Sequence, residues 1–184
     1  QNTKKSKVVY NYNALATNIV MNYTIFKSGN DWQKLLNKIF NETVKVENNV
    51  YFLRVSPSHT NIDGGGRYSF YATRYDYLRI AKTIMDDWNN DTCVGKYLKT
   101  IYERRISKNK NSYKPTYAYS YSKKYGGQFH FDIVGLEKRK ILGMDGLGGQ
   151  QILIDFENKK IIVIHATTPH YNWKKIAHQV IKEN

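Results

Sequence analysis

One cysteine, Cys93, stands in 184 residues. That excludes an internal disulfide and any metal site built from several cysteines. Long apolar runs are missing too: nowhere do about 18 apolar residues follow one another, so no segment reads as a membrane-spanning helix. Acidic residues are scarce, with 15 Asp and Glu against 29 Lys and Arg and a net charge of +14. An excess of that size raises nucleic acid as a partner. The basic residues, however, are spread along the chain among many Asn, Ile and Tyr, the residues that AT-rich codons favour. The excess reads as compositional bias on a solvated surface, and a nucleic-acid groove is the minority reading. His170 and His178 have no carboxylate or cysteine at metal-ligand spacing, so neither metal nor cofactor is expected.

What is present suits a globular fold. Apolar residues make up 41% of the chain and there are 16 tyrosines, enough to bury a sizeable core in one domain spanning 1–184. Leu15 and Ile19 recur at helical spacing, which predicts a helix from near Asn13 to Gly29. Asn30 or Asp31 then caps a second helix, Trp32–Phe40. Val44–Val46 and Val50–Val55 read as short strands about the turn Glu47-Asn48-Asn49. Thr73 and Asp76 form a capping-box-like pair at the start of a helix reaching about Trp88. Lys96–Ile106 reads as a further helix. Gly126–Ile133 alternates as a strand with Phe129, Phe131 and Ile133 on one face, which leaves His130 as a surface or strand-pair histidine on the other. The β-branched runs Gln151–Phe156 and Lys160–His165 form a hairpin, and Trp173–Lys182 closes the chain as an amphipathic helix. Pattern alone gives a mixed α and β fold.

Glycines gather in two places. Asp145-Gly146-Leu147-Gly148-Gly149-Gln150 precedes the hairpin, where glycine permits positive φ and close backbone approach. The spacing is not the G-x-G-x-x-G of a dinucleotide loop. The run Gly64-Gly65-Gly66 is not followed by Gly-Lys-Ser/Thr, so it is no P-loop either.

Several motifs, in order, carry a resemblance. Tyr12, Thr17 and Ile19-Val20 precede an amphipathic helix. Gly65-Gly66 is followed by Ala72-Thr73-x-x-Asp76, then come the strand Tyr125-Gly126-x-x-Phe129 and Gly146-x-Gly148-Gly149-Gln150. In this order the chain resembles the C-terminal portion of the serine β-lactamase-like hydrolases, which include class C β-lactamases, DD-peptidases, family VIII esterases and 6-aminohexanoate-dimer hydrolases. The resemblance implies an α/β fold of the β-lactamase/transpeptidase type, a mainly antiparallel sheet flanked by helices. It also implies that the Tyr-Gly strand pairs with the Gly-Gly-Gln strand.

The resemblance further implies acyl transfer or hydrolysis of an ester, an amide or a β-lactam, or of a peptidoglycan-like substrate, in the cell envelope or outside it. Tyr12 would shuttle the proton, with Tyr10 as the competing register. The strand Leu147-Gly148-Gly149-Gln150 would line the cleft, and the Gln150 N–H would complete the oxyanion hole. A phenol takes such a role only where positive neighbours lower its pKa from about 10. The family's Ser-x-x-Lys would stand well before this tyrosine. The two literal matches, Ser107 to Lys110 and Ser120 to Lys123, come after it, which places the nucleophile in a segment upstream. A non-catalytic, peptidoglycan- or ligand-binding member of the same fold is the alternative, and a basic nucleic-acid-binding domain the third.

Overall fold

The computed structural model describes residues 10, 14–55, 67–108, 122–146, 148–168 and 171–182. The chain divides into two compact units, one of Tyr12–Ile80 and one of Gln1–Asn11 with Ala81–Asn184. The architecture is mixed helix and antiparallel sheet.

The first unit opens with helix α1, Ala14–Ser28, which stops at Gly29 in the left-handed region (φ +50°). Helix α2, Trp32–Leu36, runs directly into a π-helical stretch, Asn37–Val44. The wider winding shows in the Thr43 hydroxyl, which donates to the carbonyl of Lys38, five residues back, at 3.0 Å. The predicted helix over Trp32–Phe40 is therefore longer, and Val44 ends it instead of starting a strand. Asp31 makes no side-chain capping bond. Strand β1, Tyr51–Val55, pairs antiparallel with β2, Arg67–Tyr71, and not with Val44–Val46. The reason is an aromatic cluster on one face. Phe52 and Phe70 stand opposite each other with ring centroids 4.8 Å apart, and Phe40, Trp32 and Tyr77 close around them. The supposed turn at Glu47-Asn48 is instead held by buried Asp76, which accepts from the Glu47 N–H at 2.9 Å and the Asn48 amide at 3.0 Å. Asp76 also meets Thr73 as a capping box, accepting its hydroxyl at 2.7 Å and donating its own N–H to Thr73 Oγ1 at 3.2 Å. That pair opens helix α3, Arg74–Asn89.

In the second unit the Thr92 hydroxyl accepts the Gly95 N–H at 3.1 Å and so caps helix α4, Cys93–Glu103. Ile106, expected in that helix, lies in strand β3, Ile106–Ser107. Then come β4, Ser122–Gly126; β5, Phe129–Ile133; β6, Ile141–Gly146; β7, Gln150–Asp155; and β8, Lys160–Ile164. They form one antiparallel meander in the order β3-β4-β5-β6-β7-β8. Strand β6 thus stands between the Tyr-Gly strand and the Gly-Gly-Gln strand, which do not pair, contrary to what the resemblance implies.

Both faces of this sheet carry apolar side chains. Helix α5, Trp173–Lys182, buries Trp173, Ala177 and Ile181, four residues apart, against Ile133, Ile141, Leu153 and Ile162. Elsewhere Trp88 stacks on Phe156 at 4.0 Å, and the Tyr102 ring meets Phe131 edge-on at 5.5 Å. The β7–β8 hairpin turns on fully buried Asp155, which accepts the N–H groups of Glu157 and Asn158 and pairs with Arg139 at 2.8 Å. Among the described residues no helix is long and apolar enough to cross a membrane.

Candidate functional site

The meander brings four polar side chains from β3, β4, β5 and β6 to one place. Lys108 follows the end of β3, held there by its N–H on the Lys123 carbonyl at 2.9 Å. Its ammonium donates to Ser122 Oγ at 2.5 Å and stands 2.9 Å from His130 Nδ1. Ser122 Oγ is itself 2.8 Å from that nitrogen. The far nitrogen, His130 Nε2, meets Asp145 Oδ1 at 2.8 Å. Ser122 and His130 are buried, at 4% and 1% exposure.

Aromatic rings enclose the group. Tyr125 lies edge-on to His130 at 5.0 Å, and Tyr10 edge-on to Tyr125 at 5.1 Å. Lys108 Nζ stands 5.6 Å from the Tyr10 ring centroid and 5.8 Å from that of Tyr125, within cation–π range.

Burial decides the charges. It lowers the Lys108 ammonium from 10.5 to about 8, against the opposing pull of the Asp145 carboxylate. Burial likewise pushes His130 below 6.5, and the Lys108 charge adds to that, while Asp145 resists it. The imidazole is therefore neutral at pH 7. Asp145 accepts a hydrogen bond from the Nε2–H, which leaves Nδ1 as the acceptor facing the Ser122 hydroxyl. The result is a line of exchangeable protons from amine to hydroxyl to imidazole to carboxylate, the components of general acid–base catalysis.

Of the residues singled out in the sequence, Tyr12 and Leu147 lie outside the described residues, as do Lys110, Ser120 and Gly64–Gly66. Gly148 and Gly149 sit in the β6–β7 turn with φ of +95° and +92°, which explains why glycine stands at both. That turn begins at Gly146, the residue after Asp145. The Gly149 N–H already donates to the Gly146 carbonyl at 3.2 Å, and the Gly149 carbonyl accepts from the Tyr171 hydroxyl at 2.8 Å. Gln150 begins β7 opposite Gly146, and its side-chain amide donates to the Ala166 carbonyl at 3.1 Å. On β7, Gln151 pairs with Asp145, and its Oε1 is a buried acceptor with no donor among the described residues.

His130 is a strand-pair histidine, opposite Tyr125 on β4 and Gly143 on β6, and not a surface one. Alternation places it opposite Phe131, but β5 is an interior strand covered on both faces, so the opposite face is not solvent. Lys108, Ser122 and Asp145 carried no sequence signal as a set: they are 14 residues apart or more, and only strand register unites them. No three His, Cys, Asp or Glu side chains among the described residues are arranged to hold a metal. No protein-family model matches the chain, and no curated protein or solved structure is similar to it.

Proposed function

We propose that this chain supplies the acid–base part of an acyl-transfer site of the β-lactamase-like serine hydrolase type. It would act on an ester, an amide or a β-lactam, with the attacking serine in a segment upstream. One observation carries the reading: a lysine brought to about 8 touches a buried hydroxyl that touches a neutral histidine held by a carboxylate. A lysine in that range accepts a proton from an attacking hydroxyl far more readily than one at 10.5. Ser122 would be the bridge of this relay and not its nucleophile, since it is nearly closed to solvent. Of the two candidate tyrosines, Tyr10 turns its ring towards Lys108, with the ammonium 5.6 Å from the ring centroid, and Tyr12 lies outside the described residues, so both registers stay in the proposal. The β6–β7 turn at Gly148–Gln150, which begins three residues past Asp145, would form the neighbouring wall, and the Gln151 oxygen, unpartnered among the described residues, fits a site that admits a hydrogen-bond donor.

The burial of Ser122 and His130 also favours a second reading, a non-catalytic binder in which the relay only ties β3 to β6. Labelling separates the two. The protein joined to its upstream segment is treated with a fluorophosphonate or a penicillin, and the adduct is mapped by mass spectrometry. An adduct on an upstream serine upholds the proposal. An adduct on Ser122 moves the nucleophile into this chain, and no adduct leaves the binder.

A further inference from the structure

In the first unit, Gln33, Asn37 and Asn41 follow one another at four-residue steps along α2 and its π-helical continuation. The Gln33 amide donates to Asn37 Oδ1 at 2.9 Å, which aligns the first two on one side. They face Asn49 and Tyr51 across a cleft of about 370 Å³, within the range of small-ligand sites. Leu36 and Val50 complete its lining.

The lining carries no charge, although the chain as a whole carries +14. Phosphates, nucleic acids and acidic peptides would find no cation among its described lining residues. Each of the four amides offers both a donor and an acceptor, which matches groups that also do both, namely hydroxyls. Beside the amides, Tyr51 is half exposed, and its cross-strand partner Tyr71 is equally so on the same face of the β1–β2 hairpin. The Tyr51 ring, which lines the cleft, gives an apolar surface for the C–H face of a sugar. The π-helical segment under the cleft is a winding found often at functional sites.

We infer that this cleft binds a neutral saccharide of one or two rings, with the amides on its hydroxyls and Tyr51 under its apolar face. The inference is independent of the acyl-transfer reading, which concerns other residues.

Saturation-transfer NMR on the whole chain tests it, with cellobiose, maltose and N,N′-diacetylchitobiose as probes at about 10 mM, tenfold above a ~1 mM dissociation constant. Transfer to at least one probe is expected. It should fall at least about fivefold in Asn37→Leu/Asn41→Leu and in Tyr51→Ala, and stay unchanged in Lys38→Ala, outside the lining. All of these positions are exposed, and an unchanged circular-dichroism melt verifies that each variant folds. No transfer to any probe, or equal transfer in the folded cleft variants, overturns the inference.

Discussion

His130 Nε2 and Asp145 Oδ1 meet at 2.8 Å across β5 and β6. This contact fixes which imidazole nitrogen faces Ser122. Replacing Asp145 by Asn removes the carboxylate that resists the lowering of the His130 pKa. In Asp145→Asn the imidazole should titrate lower than in the wild type, which itself titrates below 6.5. Nitrogen-15 NMR of His130 reads this directly, together with a loss of the single Nε2–H tautomer. The sign for stability follows. Because the folded pKa lies below the unfolded one, the unfolded chain takes up more protons, so this histidine's contribution is lost as pH falls from 6.5.

Lys108 gives the opposite end of the pH scale. Its folded pKa of about 8 lies below 10.5, so between those values the unfolded chain again holds more protons and stability rises with pH. Other groups titrate in the same window, so the difference between wild type and Lys108→Met isolates the term. Wild type should gain on the variant from pH 8 to 10.5. At pH 7 the methionine variant should melt at an equal or higher temperature, because it no longer buries a charge. A parallel pair of melting curves across this window would refute the burial of the ammonium.

The two tyrosine registers differ in consequence. Tyr10 is buried against Tyr125 and near Lys108. In the protein with its upstream segment, one of Tyr10→Phe and Tyr12→Phe should slow acylation about 10²- to 10⁴-fold, the usual contribution of a proton-transfer group, while the other stays near the wild-type rate. Wild-type rates in both folded variants would contradict a tyrosine shuttle.

Much of the fold was legible in the sequence because its signals are local. The closing helix, the β7–β8 hairpin, and the Thr73–Asp76 cap each follow from residues a few positions apart, although of the apolar residues Trp173, Ile176, Ala177, Val180 and Ile181 expected along that helix, Ile176 and Val180 stay half exposed. What escaped depended on distant partners. Strand β2 is short and aromatic, and it exists because Phe70 packs on Phe52 and Phe40. Strand β6 carries Gly143, Asp145 and Gly146, a poor strand signal, and is held between β5 and β7 by register. The candidate site escaped for the same reason. The glycines at 148 and 149 announced a turn, but the polar group beside it needs four strands in place before it exists.

Packing of α4 gives a test free of any functional reading. A Cβ built on Gly95 would lie 1.8 Å from the Asp87 carbonyl oxygen, so the end of α3 and the start of α4 touch backbone to backbone. Gly95→Ala should therefore cost about 1–3 kcal/mol or more in denaturant unfolding. Val94→Ala next to it, half exposed, should stay within about 0.5 kcal/mol of wild type.

The relay itself is tested by the rate at which a penicillin acylates the protein joined to its upstream segment, with and without Lys108→Met. Acylation of the wild type at an upstream serine is expected, rising with pH through about 8 as Lys108 loses its proton. In the variant the rate should fall about 10²- to 10⁴-fold with that pH step gone. Equal rates and equal pH profiles in the two folded proteins would contradict a catalytic role for the Lys108–Ser122–His130–Asp145 group.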